Sequence, residues 1–257
     1  MDIKIIVATH KPYRMPQDKI YMPLQAGRAI CSAEIDGVAG DNTGDNISEK
    51  NKNYCELTCL YWAWKNLDAD YVGLCHYRRH FAMRRGGDKW ANIADSNFLE
   101  NKLLAYDAVL PKKRNYFIET TYQQYVHAHN KQDLDKTEEI LSEVYPQYMP
   151  AYKRVMDDTK GHRFNMMIMK KDIFDSYCEW LFDILFRLEE KLDISGYSDY
   201  DKRVFGFVSE RLLDVWLETA ESQMKIKYTE LSVVNMEKQN WLKKGTNFLK
   251  RKFIGKQ

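Results

Sequence analysis

Two histidines and two arginines cluster directly behind a short apolar run in the first third of the chain. The run Tyr71–Cys75 has the length and density of a buried strand, and His76, Arg78 and Arg79 follow it. Ligands of α/β sheets bind in the crevice outside the carboxyl ends of the strands. Guanidinium and imidazole groups are cationic donors that suit a phosphate or a diphosphate. The sequence therefore predicts an anion site here, with an exposed ion-paired turn as the alternative.

Two other polar segments fall at the ends of predicted elements. The predicted strand Ile3–Thr9 is followed by His10 and Lys11, and a loop rich in Asp, Asn and Gly runs from 41 to 53. We expect both segments to line the same crevice as the arginine cluster. The residues that they contribute to this predicted site are Thr9, His10, Lys11, Asp45, Asn46 and Asn51. Metal binding by the loop has weak support, because such clusters usually mark turns.

Carboxylates near the end of the chain are candidates for a general base. They are Asp199, Asp201 and Glu210, and Glu210 lies beside Arg211 in an otherwise apolar segment. Burial and a neighbouring cation act on such a carboxyl group in opposite directions. The alternative for Glu210 is a buried ion pair that orients its helix.

The composition excludes several classes of protein. The chain has 257 residues, 44% of them hydrophobic, and a formal net charge of +2, which favours a globular protein without a global attraction to nucleic acid. Five cysteines without paired CxxC motifs indicate reduced thiols rather than a disulfide framework. Walker A, GxGxxG and HExxH motifs are missing. The sequence lacks apolar runs of about 18 residues, so we expect a soluble protein in the cytoplasm.

Strand and helix patterns alternate, which predicts an α/β fold with a mostly parallel sheet flanked by helices and a helical C-terminal portion. The predicted strands are Ile3–Thr9, Tyr71–Cys75, Ala108–Leu110, Met166–Met169 and Met224–Val234. The predicted helices are Tyr54–Asn66, Phe98–Tyr106, Asp133–Val144, Asp172–Leu192 and Val204–Leu217. We expect one domain over 1–235 and a basic amphipathic tail over 236–257. Such a tail either lies on an anionic membrane surface or packs as a solvated terminal helix.

Several long blocks of the sequence resemble one known family. They are Val7–Lys11, Gly44–Ser48, Glu56–Asn66, His76–Arg79, Asn165–Met169, Phe174–Phe182 and Arg203–Leu213. The chain up to about Leu217 resembles a bacterial capsular and exopolysaccharide glycosyltransferase family, long catalogued as a domain of unknown function. Its members are similar to β-galactofuranosyltransferases. The resemblance implies a GT-A-like, Rossmann-type fold and a UDP-sugar donor, with galactofuranose as the specific expectation.

The same resemblance implies roles for the candidate residues. An inverting transfer to a lipid-linked or oligosaccharide acceptor, at the inner face of the cell membrane, needs a base and a group that stabilises the leaving diphosphate. Glu210 or Asp201 is the expected base, and Asn165 and Arg203 are expected to contact the acceptor. Donor binding is assigned to the residues of the predicted anion site.

The expected metal motif is replaced in this chain. GT-A enzymes usually carry Asp-x-Asp after the strand that corresponds to Tyr71–Cys75, whereas this chain has His76-Tyr77-Arg78-Arg79. We therefore favour transfer without a metal cofactor, although Mg²⁺ or Mn²⁺ is not excluded. A non-catalytic protein that binds a nucleotide sugar or a carbohydrate is the alternative function.

Overall fold

The computed structural model describes residues 1–237. The predicted basic tail over 236–257 lies outside these residues, except for Met236 and Glu237. The backbone N–H of Met236 donates a hydrogen bond to the carbonyl of Arg78, and Glu237 pairs with the Arg78 side chain. The last described residues therefore pack beside the predicted anion site.

Ten strands and eight α-helices make up the described chain. The strands are β1 (Ile3–Thr9), β2 (Tyr21–Gln25), β3 (Ala39–Gly40), β4 (Tyr71–His76), β5 (Arg79–Ala82), β6 (Ala108–Pro111), β7 (Arg114–Asn115), β8 (Lys160–Gly161), β9 (Met167–Lys170) and β10 (Tyr228–Asn235). The helices are α1 (Asn51–Tyr54), α2 (Leu57–Asn66), α3 (Ser96–Leu103), α4 (Thr121–Val126), α5 (Lys131–Val144), α6 (Met149–Asp157), α7 (Lys171–Lys191) and α8 (Val204–Met224).

Eight strands form one sheet in the order β3-β2-β1-β4-β5-β10-β6-β9, and β9 also pairs with β4. This last pairing closes β4, β5, β10, β6 and β9 into a ring of five strands. The remaining strands extend from the ring through β1, which is parallel to both β2 and β4. The carboxyl ends of β1 and β4 therefore lie side by side.

The expectation of a mostly parallel sheet is wrong, because four of its eight pairings are antiparallel. Two features reverse the strand direction. Only Tyr77 and Arg78 connect β4 to β5, so the chain turns back at once instead of entering a helix. Strand β9 then lies antiparallel to both β4 and β6.

Helices cover the sheet and supply most of the core. The two longest, α7 and α8, contain 21 residues each and pack against one another through apolar side chains such as Tyr177 and Trp216, whose rings are 5.3 Å apart. Sequence periodicity predicted both of them, together with α5. Among the helices within residues 1–237, none has the length and apolar character needed to cross a membrane.

Two elements differ from the sequence prediction. The predicted helix Tyr54–Asn66 is broken at Cys55, whose φ of 53° ends α1 before α2 begins. Strand β2 is absent from the predicted strands, and its Pro23 lies opposite Val7 of β1. Proline lacks the N–H that a strand normally donates, which weakened the sequence signal for this strand.

Candidate functional site

A cavity of about 540 Å³ opens at the carboxyl ends of β1 and β4. Thr9 and His10 reach it from β1, and His76 reaches it from β4. Helix α1 and the first turns of α8 form the opposite wall. The parallel pairing of β1 with β4 brings together residues that are more than 60 positions apart in the sequence.

Basic side chains line both walls of the cavity. His10, Arg78 and Arg79 at the strand ends form a cationic wall, and Lys52 and Arg203 lie on the helical side. The Arg79 guanidinium lies 4.6 Å from the centre of the Phe164 ring, and its Nε is buried without a hydrogen-bond partner among the described residues. Arg78 donates to Glu237 at 3.2 Å. A half-buried guanidinium with an unused Nε donor is suited to an anionic ligand.

Two carboxylates, Glu56 and Glu210, line the same cavity. Glu56 accepts a 2.8 Å hydrogen bond from the Nδ2 of Asn165, and within residues 1–237 no cation approaches its carboxylate within 4 Å. Glu210 is held differently, since it accepts a 3.1 Å bond from the buried Arg211. The cavity thus contains one carboxylate oriented by a neutral amide and one oriented by a guanidinium.

Asn165 does not line the cavity but lies directly behind it. The side chain is buried, donates to the Gly206 carbonyl at 3.1 Å and accepts from the Ser209 hydroxyl at 3.0 Å. Its amide is therefore fixed in both orientation and position, which in turn fixes Glu56. The sequence assigned Asn165 to acceptor contact, whereas its side chain contacts protein groups.

Three residues at this wall adopt left-handed backbone conformations. They are Cys55 with a φ of 53°, Phe164 with 81° and Asn165 with 49°. Such conformations are costly for residues other than glycine and concentrate at functional sites. A short 2.5 Å contact joins the Nε2 of His76 to the carbonyl of Phe164, which ties the strained segment to the end of β4.

Burial and neighbouring charges alter the titratable groups of the cavity. Burial lowers the pKa of His10, and the cations Lys11 and Arg78 lower it further. Burial also lowers the pKa of His76, although the nearby Glu56 opposes the shift. The pKa of the Cys55 thiol rises to about 11, first because of burial and then because of Glu56. We therefore expect neutral imidazoles and a protonated thiol at neutral pH.

Most of the predicted site residues come together around this cavity. Those that line it are Thr9, His10, Asn51, His76, Arg78, Arg79, Arg203 and Glu210. Lys11 lies at the margin, 3.8 Å from Glu237 and 5.3 Å from the centre of the Tyr77 ring.

Three predicted residues lie elsewhere. Asp45 accepts from the Tyr61 hydroxyl and Asn46 caps its own turn, so both stabilise the loop rather than line the cavity. Asp201 accepts from the Ser198 hydroxyl at 2.8 Å and lies 3.6 Å from the Nδ1 of His129, also outside the cavity lining. Their polar sequence contexts mark turns and a helix start.

The sequence reasoning missed Glu56 and Lys52. Glu56 fell within the predicted helix Tyr54–Asn66 and Lys52 within the predicted polar loop, because the break in the helix at Cys55 leaves no mark in the apolar pattern. The available signal was the carboxylate itself, which directly precedes the apolar stretch that begins at Leu57.

The oxygen ligands of the cavity are a poor match for a divalent cation. The residues from 1 to 237 contain no group of three or more His, Cys, Asp or Glu side chains arranged to hold a metal ion. Of the two carboxylates, Glu210 already pairs with Arg211, and Arg78 and Arg79 lie on the same cavity. A divalent cation there would face these guanidinium charges directly.

Comparison with known proteins relates the chain to one family and one solved structure. The apo structure of WbbM, described as a bifunctional glycosyltransferase, is similar with a TM-score of 0.85 and 33% sequence identity. The similarity covers 93% of this chain and 46% of the WbbM chain, so this chain spans less than half of that protein's length. No protein of curated function matches the sequence. The family model of a domain of unknown function, DUF4422, matches residues 4–222, and the chain therefore belongs to the DUF4422 family.

Proposed function

We propose that this protein is an inverting glycosyltransferase that moves a sugar from a UDP-sugar to a glycan or lipid-linked acceptor in capsule, exopolysaccharide or O-antigen synthesis. The observation that carries the proposal is one cavity that combines a cationic wall with two carboxylates. The similarity to the bifunctional glycosyltransferase WbbM supports the same class of reaction. Galactofuranose is the donor sugar that we propose, as the resemblance of the sequence implies, within a GT-A-like fold.

In the proposed reaction the cationic wall binds the diphosphate of the donor. The oxygen of an acceptor hydroxyl attacks the anomeric carbon as the bond to the diphosphate oxygen breaks, and the electron pair leaves with the UDP. Arg78 and Arg79 stabilise the charge that develops on this leaving group, and His10 donates a hydrogen bond to it. The guanidinium groups then take the role that a metal ion has elsewhere, and we propose transfer without a metal cofactor.

The base must accept the proton of the acceptor hydroxyl, and Glu56 is the carboxylate best placed for it. Its partner is the neutral amide of Asn165, so one oxygen is oriented while the carboxylate remains without a cationic partner. Glu210 is the competing candidate, but its bond to Arg211 is the ion pair expected of a residue that orients its helix. Asp201 would have to leave its contacts with Ser198 and His129 to reach the cavity.

Replacing each carboxylate by its amide tests this assignment. We expect Glu56→Gln to lower kcat by about two to four orders of magnitude, the range for loss of a general base, with UDP affinity unchanged. Glu210→Gln is the matched control and should reduce kcat by less. UDP affinity is measured by calorimetry and turnover by release of UDP from UDP-galactofuranose.

The outcomes separate the competing roles. The opposite ranking of the two variants would assign the base to Glu210. Specific UDP binding without turnover on any donor would instead favour a non-catalytic nucleotide-sugar-binding protein. Full activity in EDTA supports the metal-independent mechanism, whereas loss of activity with rescue by Mn²⁺ would contradict it. A thermal-shift comparison of UDP, GDP and CDP identifies the nucleotide, because a bound ligand stabilises the folded state.

A further inference from the structure

The loop after β6 exposes an apolar tip next to a run of basic residues. Phe117 is 80% exposed and Ile118 is 58% exposed, and they are among the most exposed large apolar side chains within residues 1–237. The three residues that precede this turn, Lys112, Lys113 and Arg114, are exposed as well. We call residues 112–118 the Phe117 tip.

The backbone of the turn holds the two apolar side chains outward. Phe117 has a φ of 63°, and its N–H donates to the Asn115 side chain at 2.7 Å. The N–H of Ile118 donates to the carbonyl of Tyr116 at 2.7 Å, which closes a tight turn. A left-handed phenylalanine is unfavourable, so its maintenance in an exposed position is not explained by packing within the chain.

The base of the tip is anchored firmly to the body. Strands β7 and β8 pair at this base, and two guanidinium groups lie near the ring of Tyr116, those of Arg114 at 5.2 Å and Arg163 at 5.4 Å from its centre. The next residue, Glu119, is buried and pairs with His127 at 2.9 Å. Because this base is rigid, the exposed apolar end can enter an apolar environment without refolding of the loop.

The tip and the cavity lie at the same end of the five-strand ring. Strands β4 and β6 are both antiparallel to β9, so they run in the same direction. The cavity follows the carboxyl end of β4, and the tip follows the carboxyl end of β6. Helix α4, which comes after the tip, also contacts the cavity wall, since Gln124 accepts a 2.6 Å bond from Arg211, the partner of Glu210.

We infer that the Phe117 tip docks the protein onto an anionic lipid bilayer. Phe117 and Ile118 would insert among the acyl chains, and Lys112 and Arg114 would lie at the level of the anionic headgroups. Lys113 contributes less, since its amino group lies 4.0 Å from Asp214. The basic run favours a membrane over a protein partner, because segment 112–118 contains no acidic residue. This inference concerns attachment and does not rest on the transfer reaction.

Vesicle binding by the full chain tests the inference. The variant Phe117→Ser/Ile118→Ser should bind phosphatidylcholine vesicles containing phosphatidylglycerol about tenfold more weakly than the wild type, because it loses two buried apolar side chains. The matched control is Leu104→Ser, which changes a 78% exposed leucine that follows α3 and does not adjoin a run of basic residues. This control should bind like the wild type. Sedimentation of the vesicles measures the partition coefficient.

A site-resolved measurement separates the tip from the basic segment after residue 237. Vesicles with phosphatidylglycerol should slow amide hydrogen exchange over 114–119, and vesicles of phosphatidylcholine alone should do so less. Lys112→Gln/Arg114→Gln should remove this dependence on anionic lipid. Three results would each overturn the inference: no vesicle binding, no protection over 114–119, or equal binding by the tip variant and Leu104→Ser. The apolar tip would then be assigned to a protein partner.

Discussion

Two clusters of charged residues in this protein have similar compositions, but one surrounds an open cavity and the other is packed around a buried imidazole. The cavity cluster consists of His10, His76, Arg78, Arg79, Arg203, Glu56 and Glu210. The His162 cluster consists of His162, Arg163, Lys113, Asp214 and Glu230, and it lies between β8, α8 and β10. Each combines histidine, guanidinium and two carboxylates.

The imidazole of His162 has partners at both ring nitrogens, although the Nε of Arg163 is buried without a hydrogen-bond partner among the described residues. His162 is fully buried, and its Nδ1 lies 2.5 Å from one oxygen of Asp214 while its backbone N–H donates to the other at 2.8 Å. Its Nε2 lies 3.2 Å from Glu230, and Arg163 approaches Asp214 at 3.7 Å. A buried imidazole that is hydrogen-bonded on both sides in this way stabilises one arrangement of the core.

The cavity cluster differs because its groups surround an open space. Arg79, whose Nε is likewise buried without a partner among the described residues, lines this space, and Cys55 and Phe164 hold strained backbone conformations at its wall. Such features lower stability and persist where a ligand completes the arrangement. The difference indicates that neither charge content nor an unused donor alone marks a candidate site, whereas an open cavity bordered by strained backbone does.

Of these predictions, the largest change in the free energy of unfolding is expected at Asp214. Asp214→Asn removes the carboxylate that contacts the buried His162 and Arg163, and we expect a loss of about 3 kcal/mol in the free energy of unfolding. Glu56→Gln, the cavity counterpart, should change this free energy by less than about 1 kcal/mol. Urea denaturation measures both. Equal losses in the two variants would show that the cavity cluster is also structural.

A smaller effect, on binding rather than stability, is expected at Arg79. Arg79→Gln removes a guanidinium from the proposed diphosphate site and should weaken UDP binding about tenfold, which corresponds to about 1.4 kcal/mol. Its free energy of unfolding should stay equal or rise, because the wild type buries an unused donor there. Arg85→Gln, an exposed arginine on the β5 side, is the control for charge alone. Loss of stability without loss of UDP affinity would contradict the assignment.

The cationic half of the site could be predicted from the sequence because it depends on local rules. Short apolar strands that end in His10 or in His76 and Arg79 place those side chains at the carboxyl edge of a sheet. The reversal of the chain after β4 does not follow from such local rules. No Gly or Asn marks the turn at Tyr77 and Arg78, so the reversal into β5 and the mixed sheet were not anticipated.

The acidic half depends on contacts that periodicity does not encode. Glu56 enters the cavity because the chain reverses at Cys55, and it is oriented by Asn165, 109 positions further along the chain. Asp45 and Asn46 illustrate the converse, because a polar loop resembles a site although its side chains stabilise the loop itself. Local composition therefore located the basic residues that line the cavity but could not distinguish a cavity-lining carboxylate from one that stabilises a loop.

The smallest predicted effect is the opposite pH dependence of the two clusters. Burial alone would lower the pKa of His162, but its bonds to Asp214 and Glu230 outweigh burial and raise this pKa above 6.5. The folded state then binds a proton more tightly than the unfolded state, so the stabilisation is present below about pH 6.5 and is lost as the pH rises through the raised pKa. For His76 the pKa is lowered, mainly by burial, so the wild type loses stability as the pH falls below about 6.5.

Two glutamine variants test these signs through urea denaturation at several pH values. His162→Gln should be most destabilising relative to the wild type in acid, and the difference should shrink by about 1 kcal/mol towards alkaline pH. His76→Gln should show the reverse trend, with its relative stability improving in acid because the variant has no imidazole to protonate. Parallel pH profiles for the two variants would contradict the opposite signs of these shifts, a raised pKa for His162 and a lowered pKa for His76. Opposite slopes would mean that the imidazole of His76 stays neutral at the ligand end of β4, where the guanidinium groups alone supply the positive charge.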